Sequence, residues 1–550
     1  MKIGLSAALS CSVLAASCDL GGGCRGEWCG TLVIAQGADP DALFPPVIQT
    51  TAGAAVSDLI YLKLADIGPS MNTVGDIDFI PRLAQSWSRE DSLTWVFTLD
   101  PQARWHDRVA VKARDVEFTF SVYRDTLLAS PKLSLMERIE SVTARNASTV
   151  EFKFSSRYPE QFYDATHHMR ILPAHLLDTI PPVSLTSHEL TLHPIGAGPY
   201  RFVRWDPAAA IELTADTMFF LGRPGLARLI FRSTPNIETA LAQVLAGEAD
   251  AIEQLVTPQN VSRAAAAPHV RLVEYPSAGY TYLQFNMRNP NRPNRPHPLL
   301  RDRMLRRALA MSVNQQEVVD AVLGGLGEVA IGPVSRMLSI WSEDIPRIPY
   351  DTARATTLFN GLGWADSDGD GYLDRSGQRL RFELAVPASS ESRRQAAVII
   401  QDQFRRVGVE MAIAELELNT LISRVTGGQF DAFFGFRTQD PSPATIKEAW
   451  TSSGIGGANF GSYSSPEFDR IVDAAIAEQR TERAVELWHQ AVAHINADAP
   501  AIWLFSPKSV AAVHRRIDNV TIRPDQWTAT IWTWRVPSAR IIDRDRHGSN

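Results

Sequence analysis

The chain has 550 residues, 45% of them apolar and 21% charged, the make-up of an ordinary soluble globular protein. That length exceeds what one hydrophobic core usually supports, so two or three lobes are expected. A net charge of −7 with both signs interspersed argues against nucleic acid as a partner, and no apolar run beyond the first residues approaches the roughly 20 needed to cross a bilayer.

The chain opens on Met1-Lys2, an apolar run over residues 3–14, and then Ala15-Ala16-Ser17-Cys18. One positive charge, a short apolar stretch and small residues before a break form the pattern of a secretory signal. With cysteine at the break, it resembles a bacterial lipoprotein signal. That reading predicts removal of residues 1–17 and lipidation of the Cys18 thiol, whereas ordinary cleavage nearby would give a free secreted protein. Either outcome places the rest of the chain outside the cytoplasm. Cys11 leaves with the signal, and Cys24 and Cys29 could close a small local loop in an oxidising compartment. No second Cys or His pair follows at zinc spacing. Residues 18–29, with Gly21-Gly22-Gly23, read as a flexible tether.

Strands and helices then alternate. Residues 30–35 read as a buried strand, 93–99 as a half-buried strand, and 113–120 as a helix with acidic residues in its first turns. Residues 150–154 alternate as a strand. Over 301–323 the apolar spacing predicts two consecutive helices. Residues 395–407 read as a helix closed by Gly408 and followed by a strand over 409–414. The alternation favours mixed α/β lobes.

Several separated segments carry a resemblance. They are Leu83-Ala84-Gln85-Ser86-Trp87, Trp105-His106-Asp107 with Ala113-Arg114-Asp115-Val116, and Ile171-Leu172-Pro173-Ala174-His175. Gly196-Ala197-Gly198-Pro199-Tyr200, Gly247-Glu248-Ala249-Asp250, Phe285-Asn286, Arg306-Arg307-Ala308-Leu309 and Asn459-Phe460 with Tyr463 follow in order. The ordered set resembles the peptide-, dipeptide- and nickel-binding family of extracellular solute-binding proteins, the receptors of ABC-type importers. The resemblance implies an α/β, three-lobed periplasmic-binding-protein-like fold with the ligand cleft between lobes I and III. Lobe I would comprise residues 30–68, 192–285 and 508–550, lobe II 69–191 and lobe III 286–507, the lobes closing by hinge motion. Arg108 stands where the family usually has glycine, and Thr217-Met218-Phe219-Phe220 and Ser312-Val313-Asn314 also depart from its pattern.

In the segment from Phe430 to Pro441 a buried strand opens into a polar loop. By family position, Phe436, Arg437 and Asp440 are the candidate ligand contacts, Asp440 receiving a peptide's ammonium group. A charged terminus enclosed in a cleft must be paired or desolvation prevents binding. The competing structural reading has residues 440–443 start a helix over 444–450, with Ser442 as its cap and Pro443 in its first turn. Tyr280 and Tyr282, on a strand, are further cleft candidates, although aromatic strand residues are more often core.

Asp366-Ser367-Asp368-Gly369-Asp370 starts like a calcium loop, but Gly377 stands where the bidentate Glu is needed, which predicts a structural turn. His167-His168 are adjacent and diverge, and His489 and His494 are off same-face spacing. The glycines at 325–327 follow a helix where a dinucleotide fingerprint must follow a strand. No metal, cofactor or catalytic set is therefore expected. The expected function is that of a monomeric, lipid-anchored receptor on the periplasmic or cell-surface face of the inner membrane. It would capture a peptide or related small solute and deliver it to an ABC permease. Nickel chelates, opines and oligosaccharides stay open as solutes, and an envelope hydrolase or a ligand sensor on the same fold is the alternative.

Overall fold

The computed structural model describes residues 29–255 and 257–546. Cys18 and Cys24, and with them the predicted lipidation site and loop partner, lie outside the described residues.

A twelve-stranded mixed sheet organises the described residues. Its longest strand, Ala501–His514, serves two neighbourhoods. Residues 501–505 pair antiparallel with the Gly279–Phe285 strand, while residues 508–514 pair with the Val270–Pro276 strand. Those two partners are separated only by Ser277-Ala278. Two chain segments therefore pass side by side from one half of the sheet to the other.

In the first half, Thr31–Gln36 lies parallel to Arg228–Ser233, which continues antiparallel into Ala210–Ala215 and Tyr200–Asp206. Leu32, Ile34, Leu213, Leu229 and Val513 fill its core. In the second half, Arg381–Pro387 lies parallel to both Glu410–Leu416 and Ala432–Thr438. The helix Glu391–Arg406 is the crossover of the first of these pairs, and Gly408 follows it at φ +77°. Helices Arg303–Met311 and Gln315–Leu323 bear out the two-helix reading, capped by Asp302 and Asn314.

A separate four-stranded antiparallel sheet holds Ala84–Arg89, Thr94–Leu99, Thr149–Phe154 and Ile139–Ala144. Its Thr94–Leu99 strand is a correction to the half-buried reading. Thr94 and Val96 are buried as well as Trp95 and Phe97, because neighbouring elements cover both faces. Phe162, from the helix Gln161–His167, packs against Trp95 and Phe97 at ring distances of 5.1 and 5.4 Å.

The ordered segments read from the sequence are the polar clamps of this fold. Buried Asp115 accepts from the Lys112 and Ala174 amides at 2.7 and 2.9 Å and from the Trp105 indole at 3.3 Å. His106 bonds the Gly198 carbonyl through Nε2 and accepts from the Gly196 amide at Nδ1. A Cβ at Gly196 would sit 1.8 Å from the Ile60 carbonyl oxygen, so only glycine admits this approach. Asn286 donates to the Gly428 and Phe430 carbonyls, and Arg306 to those of Leu300, Asp498 and Ala499. Asp250, wholly buried, receives Val33 N at 2.9 Å and Arg516 at 2.7 and 3.0 Å. Arg516 also reaches Asp545, which accepts from Thr31 N. One ionic cluster thereby ties the first strand, residue 250, the end of the long strand and the short helix Asp543–Arg546 together.

Arg108 has φ +77°, the left-handed backbone that glycine adopts without strain. Its guanidinium grips Asp216 through two bonds of 2.6 and 3.0 Å. Burial opposes ionisation of Asp216, but this grip and the Met218 amide hold its carboxyl below the usual range.

Candidate functional site

The Ala432–Thr438 strand is buried through Gly435 and then emerges. Phe436 is 45% exposed. Gly279, paired with Thr438 on the neighbouring strand, leaves room for the ring: a Cβ there would come 2.5 Å from the Phe436 ring, so the glycine lets the ring fold down onto that strand. Gly435 has the same use for Tyr282, whose ring carbon would stand 2.4 Å from an added Cβ. Tyr282 can therefore lie across the strand, where the Arg437 guanidinium opposes the effect of burial on its phenol. Arg437 donates to the Ala458 carbonyl at 3.2 Å, while its Nε has no partner.

Tyr280 and Tyr282 are both buried beneath this surface. Tyr280 accepts from the Trp450 indole at 3.2 Å, and Tyr282, Trp450 and Trp503 pack edge to face around them. Burial raises both phenol pKa values. These buried tyrosines underlie the candidate surface around Phe436 and Arg437.

The loop after the strand is pinned by Gln439, which sequence reasoning passed over. Its amide donates to Ala278 O at 2.8 Å, and its side chain holds Pro333 O and Ser335 N. Ala278 belongs to the two-residue crossing, so the loop is anchored where the two halves of the sheet meet. Asp440 stands next, exposed. Its charge reaches Lys132 and Tyr163.

Ser442 corrects the capping expectation. The helix is Thr445–Trp450, with Ala444 at the cap position. Ser442 Oγ accepts from the Ala444 amide and donates to Glu160 at 2.8 Å from either carboxyl oxygen. Thr73 donates to the same carboxyl. Burial, then the nearby Asp164, pushes the Glu160 pKa up to about 7. The loop that carries Asp440 is thus latched to Glu160, 282 positions earlier in the chain, which Thr73 holds in turn.

Around this latch lie groups that no sequence pattern marked. Tyr163 and His167 stack at 4.6 Å, and Tyr163 Oη and His167 Nδ1 are buried without a partner. Burial, with Lys63 next in weight, drives the His167 pKa well down. Burial and the Arg170 charge push Lys132 down to about 7.

The acidic turn folds on itself: Asp366 accepts from the amides of Gly369, Asp370 and Gly371, ahead of the short hairpin Asp374–Arg375 with Gln378–Arg379. Asp366, Asp368 and Asp370 have oxygens close enough together for a cation, all on exposed residues. His167 and His168 turn their rings 87° apart. His489 bonds the Ile340 carbonyl, whereas His494 meets Ser465 at 3.0 Å and Asp498 at 3.4 Å. Both of the latter contacts use Nε2, and Ser465 caps its own helix, so the trio lacks the relay geometry of a hydrolase.

A sequence search finds the oligopeptide-binding protein AppA of Bacillus subtilis 26% identical over 92% of this chain and 91% of AppA. The Escherichia coli dipeptide-binding protein is 24% identical over 90% and 92%. The structure of B. subtilis AppA with a nonapeptide superposes with a TM-score of 0.74 at 24% identity, covering 94% of this chain and all of AppA. NikZ of Campylobacter jejuni, solved with Ni(L-His), gives 0.74 at 23% identity over 92% and 99%. The family description that matches residues 78–458, most of the chain, is that of the bacterial extracellular solute-binding proteins, family 5. The chain belongs to that family.

Proposed function

We propose that this chain is the receptor of an ABC-type importer, capturing peptides outside the cytoplasm and passing them to a membrane permease. The observation that carries the reading is the position of the Phe436–Asp440 loop. It is pinned by Gln439 to the crossing at Ser277-Ala278, beside the long strand that makes the same passage. Groups placed there meet a solute from one half of the fold and close on it as the halves rotate. Strand pairing favours a hinge near residues 277–278 and 507–508, which would start lobe III a few residues earlier than 286.

In this reading Asp440 receives the ammonium end of the peptide. The unpartnered Nε of Arg437 donates to a peptide carbonyl, and the exposed ring of Phe436 packs on a side chain. Tyr280 and Tyr282 lie buried beneath this surface, and the Ala458 carbonyl holds Arg437. Backbone pairing at the strand end makes affinity tolerant of peptide sequence. Among the described residues no helix is long and apolar enough to cross a membrane. Attachment would come from lipid on Cys18, and Cys18→Ala should move the protein from the membrane fraction to the soluble one.

The receptor reading is tested by small-angle scattering with and without a pool of short peptides. A more compact particle at saturation is expected. An unchanged profile, under conditions where calorimetry detects binding, removes the closure mechanism.

A further inference from the structure

The end of the first half of the sheet that points away from the crossing carries an open pocket of about 480 Å³. Arg515, Arg516, Arg540, Arg544, His514 and Ile542 wall it, and no carboxylate lines it. Asp250 and Asp545 are engaged by Arg516 and have no exposure, while Arg540 meets Asp518 at 2.9 Å. Arg544 shares Asp250 with Arg516. Arg515 is exposed, and its guanidinium makes no hydrogen bond or ion pair among the described residues. Four guanidinium groups thus share three carboxylates, all three set outside the pocket.

Two further donors are left over. Arg544 gives Nη1 to the Gly247 and Glu248 carbonyls and Nη2 to Asp250, while its Nε is buried without a partner. His514 Nδ1 accepts from the Arg516 amide at 3.0 Å. That bond puts the proton of the neutral ring on Nε2, which has no partner among the described residues. A set of donors with no acceptor among them suits an anion whose oxygens face several ways, and guanidinium forks match phosphate oxygens.

The position of the pocket points to the source of that phosphate. His514 stands six residues up the long strand from Lys508, which puts the pocket about 20 Å from the crossing and the solute loop. It lies instead where the first strand begins. Arg516 donates to the Thr31 carbonyl at 2.5 Å, and Thr31 Oγ1 donates to the Arg544 carbonyl at 3.4 Å. Thr31 is 13 residues beyond Cys18, a reach of at most about 45 Å when extended. Ile542, 40% exposed on the wall, adds an apolar contact. The chain as a whole carries −7, so an anionic surface repels most of it and favours approach by this end. We infer that the pocket takes the phosphate of an anionic phospholipid, docking the far end of the first half on the membrane and leaving the cleft free. The lipid as occupant rests on the Cys18 anchor proposed above; the fit to a phosphate does not.

The test uses the full chain with Cys18→Ala, so that no anchor contributes. It is sedimented with vesicles of phosphatidylcholine alone and of phosphatidylcholine with phosphatidylglycerol, and titrated with inorganic phosphate by calorimetry. Partition onto the anionic vesicles should be stronger by roughly tenfold or more and should weaken as salt rises. Arg515→Ser with Arg540→Ser should remove that preference and leave peptide affinity unchanged. Arg292→Ser with Arg295→Ser takes the same charge from an exposed strand in the second half and should leave the preference in place. Equal loss from both pairs shows attraction to charge in general and overturns the pocket. Heat from inorganic phosphate without a preference for the anionic vesicles assigns the pocket to free phosphate and overturns the lipid. Neither heat nor preference overturns the site altogether, and peptide binding by the same protein then leaves the receptor reading standing. The comparison of vesicles and phosphate needs no arginine variant to fold.

Discussion

Glu160 gives the sharpest test of how the site is held together. Its carboxyl is held between Thr73 and Ser442, with Asp164 as a like charge and Arg138 as an opposing one. Burial and Asp164 raise its pKa from 4.5 to about 7 on folding. An acid whose folded pKa lies above its unfolded value binds more protons when folded, so stability falls as pH rises between the two. The contribution is complete below about pH 4.5 and lost above about 7. At about 1.4 kcal/mol per pKa unit, the swing is on the order of 3 kcal/mol. Glu160→Gln keeps the shape and an acceptor for one hydroxyl but cannot titrate. Urea unfolding of both proteins from pH 4.5 to 8 should show the glutamine variant gaining on wild type by that amount, most of it between pH 5 and 7. Taking the difference at each pH cancels the other titrating groups, His167 included. Parallel stability curves would refute the buried latch.

Asp250→Ala leaves Arg516 buried beside a vacated site and should cost roughly 3–5 kcal/mol in denaturant unfolding; a loss below about 1 kcal/mol would deny the cluster its role in joining the chain ends. Arg108→Ala keeps the left-handed backbone and strips Asp216 of its guanidinium, for an expected loss of roughly 2 kcal/mol. Arg108→Gly relieves the backbone and should recover about 1 kcal/mol of it, and thermal melts of the pair decide whether strain is present. Asp440→Asn should weaken peptides with a free amino terminus tenfold or more, about 1.4 kcal/mol, with no change in melting temperature because Asp440 makes no ion pair of its own. Calorimetry with free and N-acetylated versions of one peptide checks this, an equal effect on both counting against the ammonium contact.

Much of the fold was legible because it is written locally. Alternation marked the strand at 150–154, and the apolar spacing over 301–323 marked two helices whose caps, Asp302 and Asn314, are also local. The separated segments were legible as an ordered set, and their physical content emerged only in three dimensions. Asp115, His106, Asn286, Arg306 and Asp250 each satisfy backbone or charged groups far along the chain. The candidate site was legible only along one stretch of chain. Phe436, Arg437 and Asp440 follow one another at a strand end, where a change from apolar to polar is visible. Glu160, which holds the same loop through Ser442, comes from a segment with no pattern of its own. Ser442 was misread for the same reason. A serine before Pro443 satisfies a local capping rule, and nothing nearby in sequence announces that its hydroxyl faces Glu160.

The central claim is capture of a peptide without chemistry. Native mass spectrometry of the full chain mixed with a defined tetrapeptide pool tests it most directly. The account predicts a one-to-one complex whose released peptides have the masses at which they entered. A chain that retains no peptide at any concentration tried, or that returns shortened peptides, contradicts it.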